Sequence, residues 1–283
     1  MGRIVLFVLF LAVLSCEDRS SPPAITDTVH SHQIRFDKRS EYDRVVVIDE
    51  GEMRYLRFGS QHGGNQGVIS LSEPSAVPMA YIRFAMLGML LTPQPERILM
   101  IGLGAGTFTT LLRRHYPALW MDAVEIDPVV VQVAKAFFRV REDSRFRVHV
   151  KDGATFIEQT QHSYDLVMLD AYTGESIPEH MAGPEFFNVV KANLSTGGVA
   201  VLNVWDEGER EALIEKCFRG TFPVTACIRS TDGFNLVLFG KAFGTMPAHS
   251  DLVTAARQLT SDFGLSFDLG KVAERLRVEC PGP

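Results

Sequence analysis

Cysteine is scarce in this chain, with 4 among 283 residues, and none stands in a C-x-x-C pair or beside a pair of histidines. That spacing gives no support for a structural zinc site or a disulfide framework. Cys217 and Cys227 could pair in an exported protein, and otherwise read as small buried hydrophobes. Positive charge is also in deficit, since 28 Lys and Arg stand against 34 Asp and Glu for a net charge of -6. Global attraction to polyphosphate is thereby removed, and no nucleic-acid partner is expected; cationic or neutral ligands fit better. A hydrophobic share of 46% against 22% charged residues excludes a disordered or fibrous chain. The length suits one large α/β domain with a small appendage.

Long apolar runs are missing as well. Residues 4–14 are uninterrupted apolar, but eleven residues are too few to cross a bilayer as a helix and match the apolar core of a signal peptide. Val13, Leu14, Ser15 and Cys16 resemble a bacterial lipobox, which would make Cys16 a lipidated first residue and residues 1–16 a leader. The polar stretch 17–33 reads as a tether, and the fold is expected to begin near Ile34. Used as a leader, the segment gives a membrane-anchored lipoprotein or a periplasmic protein; with a misassigned start codon the protein is cytoplasmic.

Between residues 42 and 71, β-rich runs at 45–48, 53–58 and 68–71 are separated by Glu-Gly and by a glycine-rich turn, predicting a small antiparallel sheet over 34–74. Apolar residues at helical spacing from 77 to 91, stopped by Pro93 and Pro95, predict one linking helix. Strand and helix patterns then alternate through RILMIGLG, WMDAVEI, RFRVHV, DLVMLD and GVAVLNVW. Strands without clean polar alternation are buried on both faces, which predicts a parallel, doubly wound sheet across 75–245. PVTACIR and FNLVLFG, joined through Ser230 and Gly233, predict a closing hairpin. Residues 246–283 carry two amphipathic helical stretches around Phe263 and Gly264, a cap on the sheet. A mostly parallel seven-stranded sheet ending in an antiparallel hairpin is the shape of the Rossmann-like class I adenosylmethionine-dependent transferases.

Gly102, Gly104 and Gly106 lie between the first strand of this sheet and a helix N-terminus. Alone they are a weak nucleotide signal, equally explained by turn geometry. Glu125 stands nineteen positions past Gly106 at the end of the second strand, where a carboxylate can accept both ribose hydroxyls, or can simply be a solvated strand end. Asp152 and Gly153 close the third strand, placed to meet an adenine ring, or to cap the following helix. Asp170 ends the fourth strand, DLVMLD, as a lone carboxylate after an apolar run; it is a proton acceptor or a loop cap.

These segments carry a resemblance. Residues 42–240, through PERILMIGLGAG, DAVEIDPVVVQVAKAFF, VHVKDGATFI and YDLVMLDAY in that order, resemble the spermidine synthase family of polyamine aminopropyltransferases. The resemblance implies that Glu125 holds the ribose of an adenosyl co-substrate, Asp152 and Gly153 its adenine, and that Asp170 stands next to an attacking amine. It implies that Gln66 and Tyr81 line the substrate side. Decarboxylated S-adenosylmethionine, or S-adenosylmethionine itself, is the implied co-substrate, with no metal and a small amine as partner; a homodimer is left open.

The family's acids are thinned here. Ala105 stands where the glycine loop would carry an aspartate, no acid occurs in 74–80, Thr173 replaces a second aspartate, and Ile82 and Arg83 replace a His-Glu pair. Glu175 and Glu179 are possible replacements, and Arg83 would attract a carboxylate if it faced the pocket. Three activities follow: aminopropyl transfer to a diamine such as putrescine, methyl transfer on the same fold, or binding of a nucleoside or polyamine by an exported lipoprotein without catalysis. The leader has a direct check. Fractionation of cells making the full chain is expected to put it with membranes and to release it on Cys16→Ala substitution; an uncleaved cytosolic band would remove the lipoprotein.

Overall fold

The computed structural model describes residues 32–278 apart from 93, 174–175, 206–207 and 232. The expected leader with Cys16, most of the tether, Glu175 and Cys280 lie outside the described residues. A four-stranded antiparallel sheet comes first, with β1 (His32–Arg39), β2 (Arg44–Glu50), β3 (Met53–Phe58) and β4 (Asn65–Ser70) side by side in chain order. Three of these strands are legible in the sequence and β1 is not. It is an edge strand, exposed along nearly its whole length, and its apolar alternation stops at Ile34 and Phe36. It is held by its ladder to β2 and by Arg35, whose Nε donates to the buried Asp49 at 2.5 Å.

The linking helix is two short pieces, α1 (Ala80–Ala85) and α2 (Gly88–Leu91), instead of the single helix expected over 77–91. Between them the N–H groups of Leu87, Met89 and Leu90 each bond the carbonyl three residues back. The chain therefore winds more tightly at Met86 and Leu87, both of which are completely buried. Apolar periodicity cannot register such a break, because nearly every side chain of the segment is inside.

Then follow β5 (Arg97–Ile101), α3 (Thr107–His115), β6 (Trp120–Glu125), α4 (Pro128–Phe137), β7 (Phe146–Val150), α5 (Gly153–Gln159) and β8 (Tyr164–Leu169). The chain continues through α6 (Pro184–Ala192), β9 (Leu194–Trp205), α7 (Glu209–Thr221), β10 (Val224–Arg229), β11 (Asn235–Lys241), α8 (His249–Phe263) and α9 (Leu269–Ala273). The seven strands β5 to β11 form one sheet in the order β10-β11-β9-β8-β5-β6-β7. β11 runs antiparallel to both neighbours and the other pairs are parallel, as the hairpin and the alternating pattern predicted. Alternate residues of one strand enter opposite cores. Ile98 and Met100 of β5 pack with α1, α3, α8 and α9, while Leu99 and Ile101 pack with α5, α6 and α7. Both faces being covered is why these strands read as continuous apolar runs.

The cysteines depart from expectation. Cys227 is buried and disulfide-bonded, while Cys217 keeps a free thiol, so the two are not paired with each other and Cys227 is not merely a small hydrophobe. The backbone of Cys227 also exchanges two hydrogen bonds, of 2.7 and 2.9 Å, with Arg277, laying the C-terminal segment along the outer edge of β10.

A third core joins the small sheet to the large one. Val45, Val47, Leu56 and Ile69 meet Ala105 of the glycine loop and Val129, Val130 and Val133 of α4. Arg54 bridges the same seam, donating to Asp49 at 2.7 and 2.9 Å and to the Phe137 carbonyl at 3.1 Å. At Gly67 the approach is so close that an added Cβ would lie 2.2 Å from the Ala105 Cβ. Glycine is therefore required for β4 to touch the loop after β5. Gly67→Ala is expected to cost about 1–3 kcal/mol and to lower the melting temperature by several degrees; an unchanged melting curve would show that the small sheet can move off the loop.

Candidate active site

Around β5 the chain reverses its direction of travel across the sheet, proceeding to β6 and β7 on one side and to β8 and β9 on the other. A crevice opens at such a switch point beyond the carboxyl ends of the strands. Two loops meet at its floor. The Asp170 N–H donates to the Ile101 carbonyl at 2.9 Å, and Gly102, at φ +88°, passes so near that a Cβ there would sit 2.1 Å from the Asp170 carbonyl oxygen. Only glycine permits both the left-handed backbone and the approach.

Glu125, at the end of β6, is aimed at the glycine loop. Its Oε2 accepts from the N–H groups of Leu103 (3.1 Å) and Gly104 (3.3 Å), and its Oε1 accepts from the Asp127 N–H at 3.1 Å. Burial pushes its carboxyl up from the ordinary range, against the pull of these three donors. Asp152 does two things. Its Oδ1 accepts from the Thr155 N–H at 2.8 Å, capping α5 as the structural alternative foresaw, and its Oδ2 meets His180 Nε2 at 3.1 Å. Burial raises its carboxyl, and the Thr155 and His180 hydrogen bonds outweigh that and hold it below its usual value.

Asp170 is in a different position. Burial drives its carboxyl up from 3.8 to about 7, although Asn203 and Tyr81 donate hydrogen bonds that oppose the shift; the charge of Glu125 pushes the same way as burial. The Asn203 Nδ2–H donates to Asp170 Oδ1 at 2.9 Å. The Tyr81 phenol, buried beside Asp170, is pushed well above its ordinary value, first by burial and then by that carboxylate, so it remains a donor. A carboxyl balanced near neutrality can take a proton at physiological pH, which a surface aspartate cannot do.

One cavity of about 160 Å³ connects these groups. The residues assigned to the site from sequence line it: Gln66 from β4, Tyr81 from α1, Gly102, Gly104 and Gly106, Glu125, Asp152, Gly153 and Asp170. The cavity wall also includes residues that the sequence reading passed over. Tyr172 and Trp205 stack with ring centroids 4.9 Å apart, and the Tyr172 hydroxyl donates to the Asn203 carbonyl at 2.8 Å while accepting from the Trp205 N–H at 3.0 Å. His180, Tyr42 and Phe58 complete that side. For Asn203 a signal did exist, as the single amide inside the apolar strand GVAVLNVW. Tyr172 and Trp205 gave none, because an aromatic after a strand is equally at home in a core.

The thinning of acids persists in three dimensions. Among the described lining residues the carboxylates are Glu125, Asp152 and Asp170, and Ala105 and Thr173 line the cavity where acids were sought. Arg83 is not in the wall; its Nη2 donates to the Pro78 carbonyl at 3.4 Å, so it does not welcome a carboxylate there. Glu179 is exposed on a short 3-10 helix and is likewise absent from the lining.

Comparison with known proteins follows the same outline. Residues 83–224 match the family model for the spermine/spermidine synthase domain. A polyamine aminopropyltransferase of Vibrio vulnificus is 35% identical over 207 residues, covering 71% of this chain and 66% of that protein. One from Chromobacterium violaceum is 32% identical over 239 residues, covering 82% and 89%. Among solved structures, the spermidine synthase of Thermotoga maritima superposes with a TM-score of 0.67 at 15% identity, over 88% of this chain and 85% of that one, which speaks for the fold. Human methyltransferase-like protein 13 in complex with SAH gives 0.56 at 26% identity, over 65% and 90%. With the shared domain extending over half its length and a 32% identical relative covering 82% of it, the chain belongs to the spermine/spermidine synthase family.

Proposed function

We propose that this protein is an aminopropyltransferase, moving the aminopropyl group of decarboxylated S-adenosylmethionine to a small amine such as putrescine. The observation that carries it is Asp170, a carboxyl held near neutrality at the switch point of the sheet and facing a cavity with a nucleoside-sized arrangement of acceptors beside it. In that cavity Glu125 is suited to the ribose hydroxyls and Asp152 with Gly153 to the adenine edge. Gln66 and Tyr81 close the substrate side from the small sheet and α1. The aromatic faces of Tyr172 and Trp205 suit a cationic chain, which aromatic rings attract without a carboxylate.

The chemistry asked of the protein is modest. A sulfonium loses its positive charge as its carbon–sulfur bond breaks, so the main requirement is to hold an amine in line with that bond. A protonated amine has no free electron pair. Asp170 orients the amine and receives its proton as the new carbon–nitrogen bond forms and the carbon–sulfur pair returns to sulfur.

Methyl transfer is the second reading, favoured by one observation: apart from Asp170, no carboxylate lines the substrate half of the cavity among the described residues. The decarboxylated tail ends in an ammonium, and each missing charge-assisted hydrogen bond forgoes on the order of 1.5–3 kcal/mol. Loss of two would erase roughly a hundredfold or more of preference for that tail. Calorimetry with both sulfonium compounds separates the two readings, and binding of a nucleoside or polyamine without turnover would point to the non-catalytic lipoprotein.

With putrescine and decarboxylated S-adenosylmethionine, residues 32–283 are expected to make spermidine, and Asp170→Asn to lower kcat by about 10²-fold or more. On the acid side, kcat/KM should fall tenfold per pH unit below a midpoint close to the Asp170 value of about 7. Equal binding of both sulfonium compounds with no spermidine formed would defeat aminopropyl transfer.

The same carboxyl has a stability consequence. Its folded value, about 7, exceeds its ordinary 3.8, so the folded state binds the proton more tightly and stability falls as pH rises from about 4 through 7. Asp170→Asn removes the charge that must be buried. It should therefore melt at or above the wild-type temperature at pH 8, with the difference shrinking toward pH 4. A variant that melts lower at pH 8 than at pH 4, relative to wild type, would contradict the buried carboxyl.

A further inference from the structure

A second polar layer lies behind Asp170, reached from two strands of the sheet. Asn203 stands on β9, whose residue Leu202 is paired with Leu169 just before Asp170. It is 1% exposed, so its amide has to find partners inside the protein. One amide hydrogen goes to Asp170 Oδ1 at 2.9 Å. The amide oxygen accepts from Asn235 Nδ2 at 3.0 Å, across the β9–β11 ladder, where Asn235 is registered opposite Trp205. The Asn235 backbone is set in turn by its N–H, which donates to the Ser230 hydroxyl at 2.9 Å at the hairpin turn. Both ends of the Asn203 amide are therefore committed, the oxygen to the Asn235 amide and the nitrogen to the carboxylate.

We propose that Asn203 is a positioning residue for the proton-accepting carboxylate, and that Asn235 fixes its orientation, so that the closing hairpin of the sheet controls the basicity of Asp170. The proposal rests on Asp170 being the base in the transfer proposed above. An amide turned the other way would present its oxygen to Asp170, and that orientation favours the protonated acid. Locked as it is, the amide donates, which favours the carboxylate and aims one of its oxygens. The backbone is held from the other side by Tyr172, whose hydroxyl donates to the Asn203 carbonyl at 2.8 Å.

The groups facing Asp170 sort by what they do to its proton. Tyr81 on α1 donates to it and stays protonated, Glu125 at the end of β6 repels its charge, and Asn203 on β9 donates. Of the two donors, Tyr81 lines the substrate cavity and meets whatever binds there, whereas Asn203 lies outside the lining. Asn203 therefore supplies a hydrogen bond that substrate does not displace, and the carboxylate oxygen it holds stays fixed while the other serves the amine.

The test uses the protein over residues 32–283 with carboxyl-¹³C aspartate, titrated by NMR, the Asp170 signal being identified by its absence in Asp170→Asn. Asn203→Leu keeps nearly the same side-chain size and removes the donor. The Asp170 midpoint is expected to rise by about one pH unit or more in that variant, and to rise by less in Asn235→Ala, where the amide is intact but unlocked. The acid limb of kcat/KM should move with it, and kcat at pH 7 should fall about tenfold while KM changes little. A purely structural role would lower the melting temperature and leave the midpoint in place. An unmoved midpoint in Asn203→Leu overturns the proposal, and if that variant does not fold, an unmoved midpoint in Asn235→Ala overturns it instead. Because the NMR titration needs no turnover, a shifted midpoint in a protein that makes no spermidine would uphold the relay and reject the aminopropyl reaction alone.

Discussion

The contact between Gly102 and Asp170 is the constraint on which the site depends. It brings the loop after β5 against the start of the loop after β8, with the Asp170 N–H on the Ile101 carbonyl at 2.9 Å and no room for a Cβ on Gly102. That closeness does two opposed things. It places the carboxylate at the floor of the crevice, among β5, β8 and β9, and it deprives the carboxylate of water, which is why burial leads the causes that lift it to about 7. A fold that kept Asp170 at the surface would have an ordinary aspartate and no base near neutrality.

The small sheet makes sense in the same terms. It contributes no strand to the seven-stranded sheet, yet Gln66 and the Gly67–Ala105 contact bring it onto the glycine loop and close the cavity from above. Its attachment is partly apolar, through Val45, Val47 and Leu56 against α4, and partly polar, through Arg54, which is held by Asp49 within the small sheet and donates to the Phe137 carbonyl at the end of α4. Asp49 is held below its usual value chiefly by the Arg54 hydrogen bond, so the cluster remains charged well into acid. The closing hairpin reaches the site from the opposite edge, through Asn235 and Asn203. Peripheral elements thus reach one site from both sides.

Acids are what this site has least of. With Ala105 and Thr173 in the wall, Glu125, Asp152 and Asp170 are its carboxylates among the described residues, and Tyr81, Tyr172 and Trp205 add aromatic rings. The wall exchanges strong, directional ion pairing for weaker attraction by ring faces.

Much of this was legible in the chain. Continuous apolar strands announced a sheet buried on both faces, the glycines announced the loop, and Glu125, Asp152 and Asp170 stood at consecutive strand ends where the topology had to bring them together. These follow from sequence because they depend on local period and on the rule that parallel strands bring their carboxyl ends to one edge of the sheet. What depended on contacts between distant segments was not legible. β1 carries only one alternating apolar pair, Ile34 and Phe36, being an edge held by its neighbour; the break at Met86 and Leu87 is hidden by burial all round; Cys227 is disulfide-bonded although no spacing foretold it. Sequence order also could not decide that Arg83 turns to the Pro78 carbonyl, or that Asn203, thirty-three residues from Asp170, donates to it. The sequence by itself determined the fold class and the carboxylates of the site. The tertiary structure decided the protonation of Asp170, because only the packing of β5, β8, β9 and α1 around it sets how much water it loses and which donors replace that water.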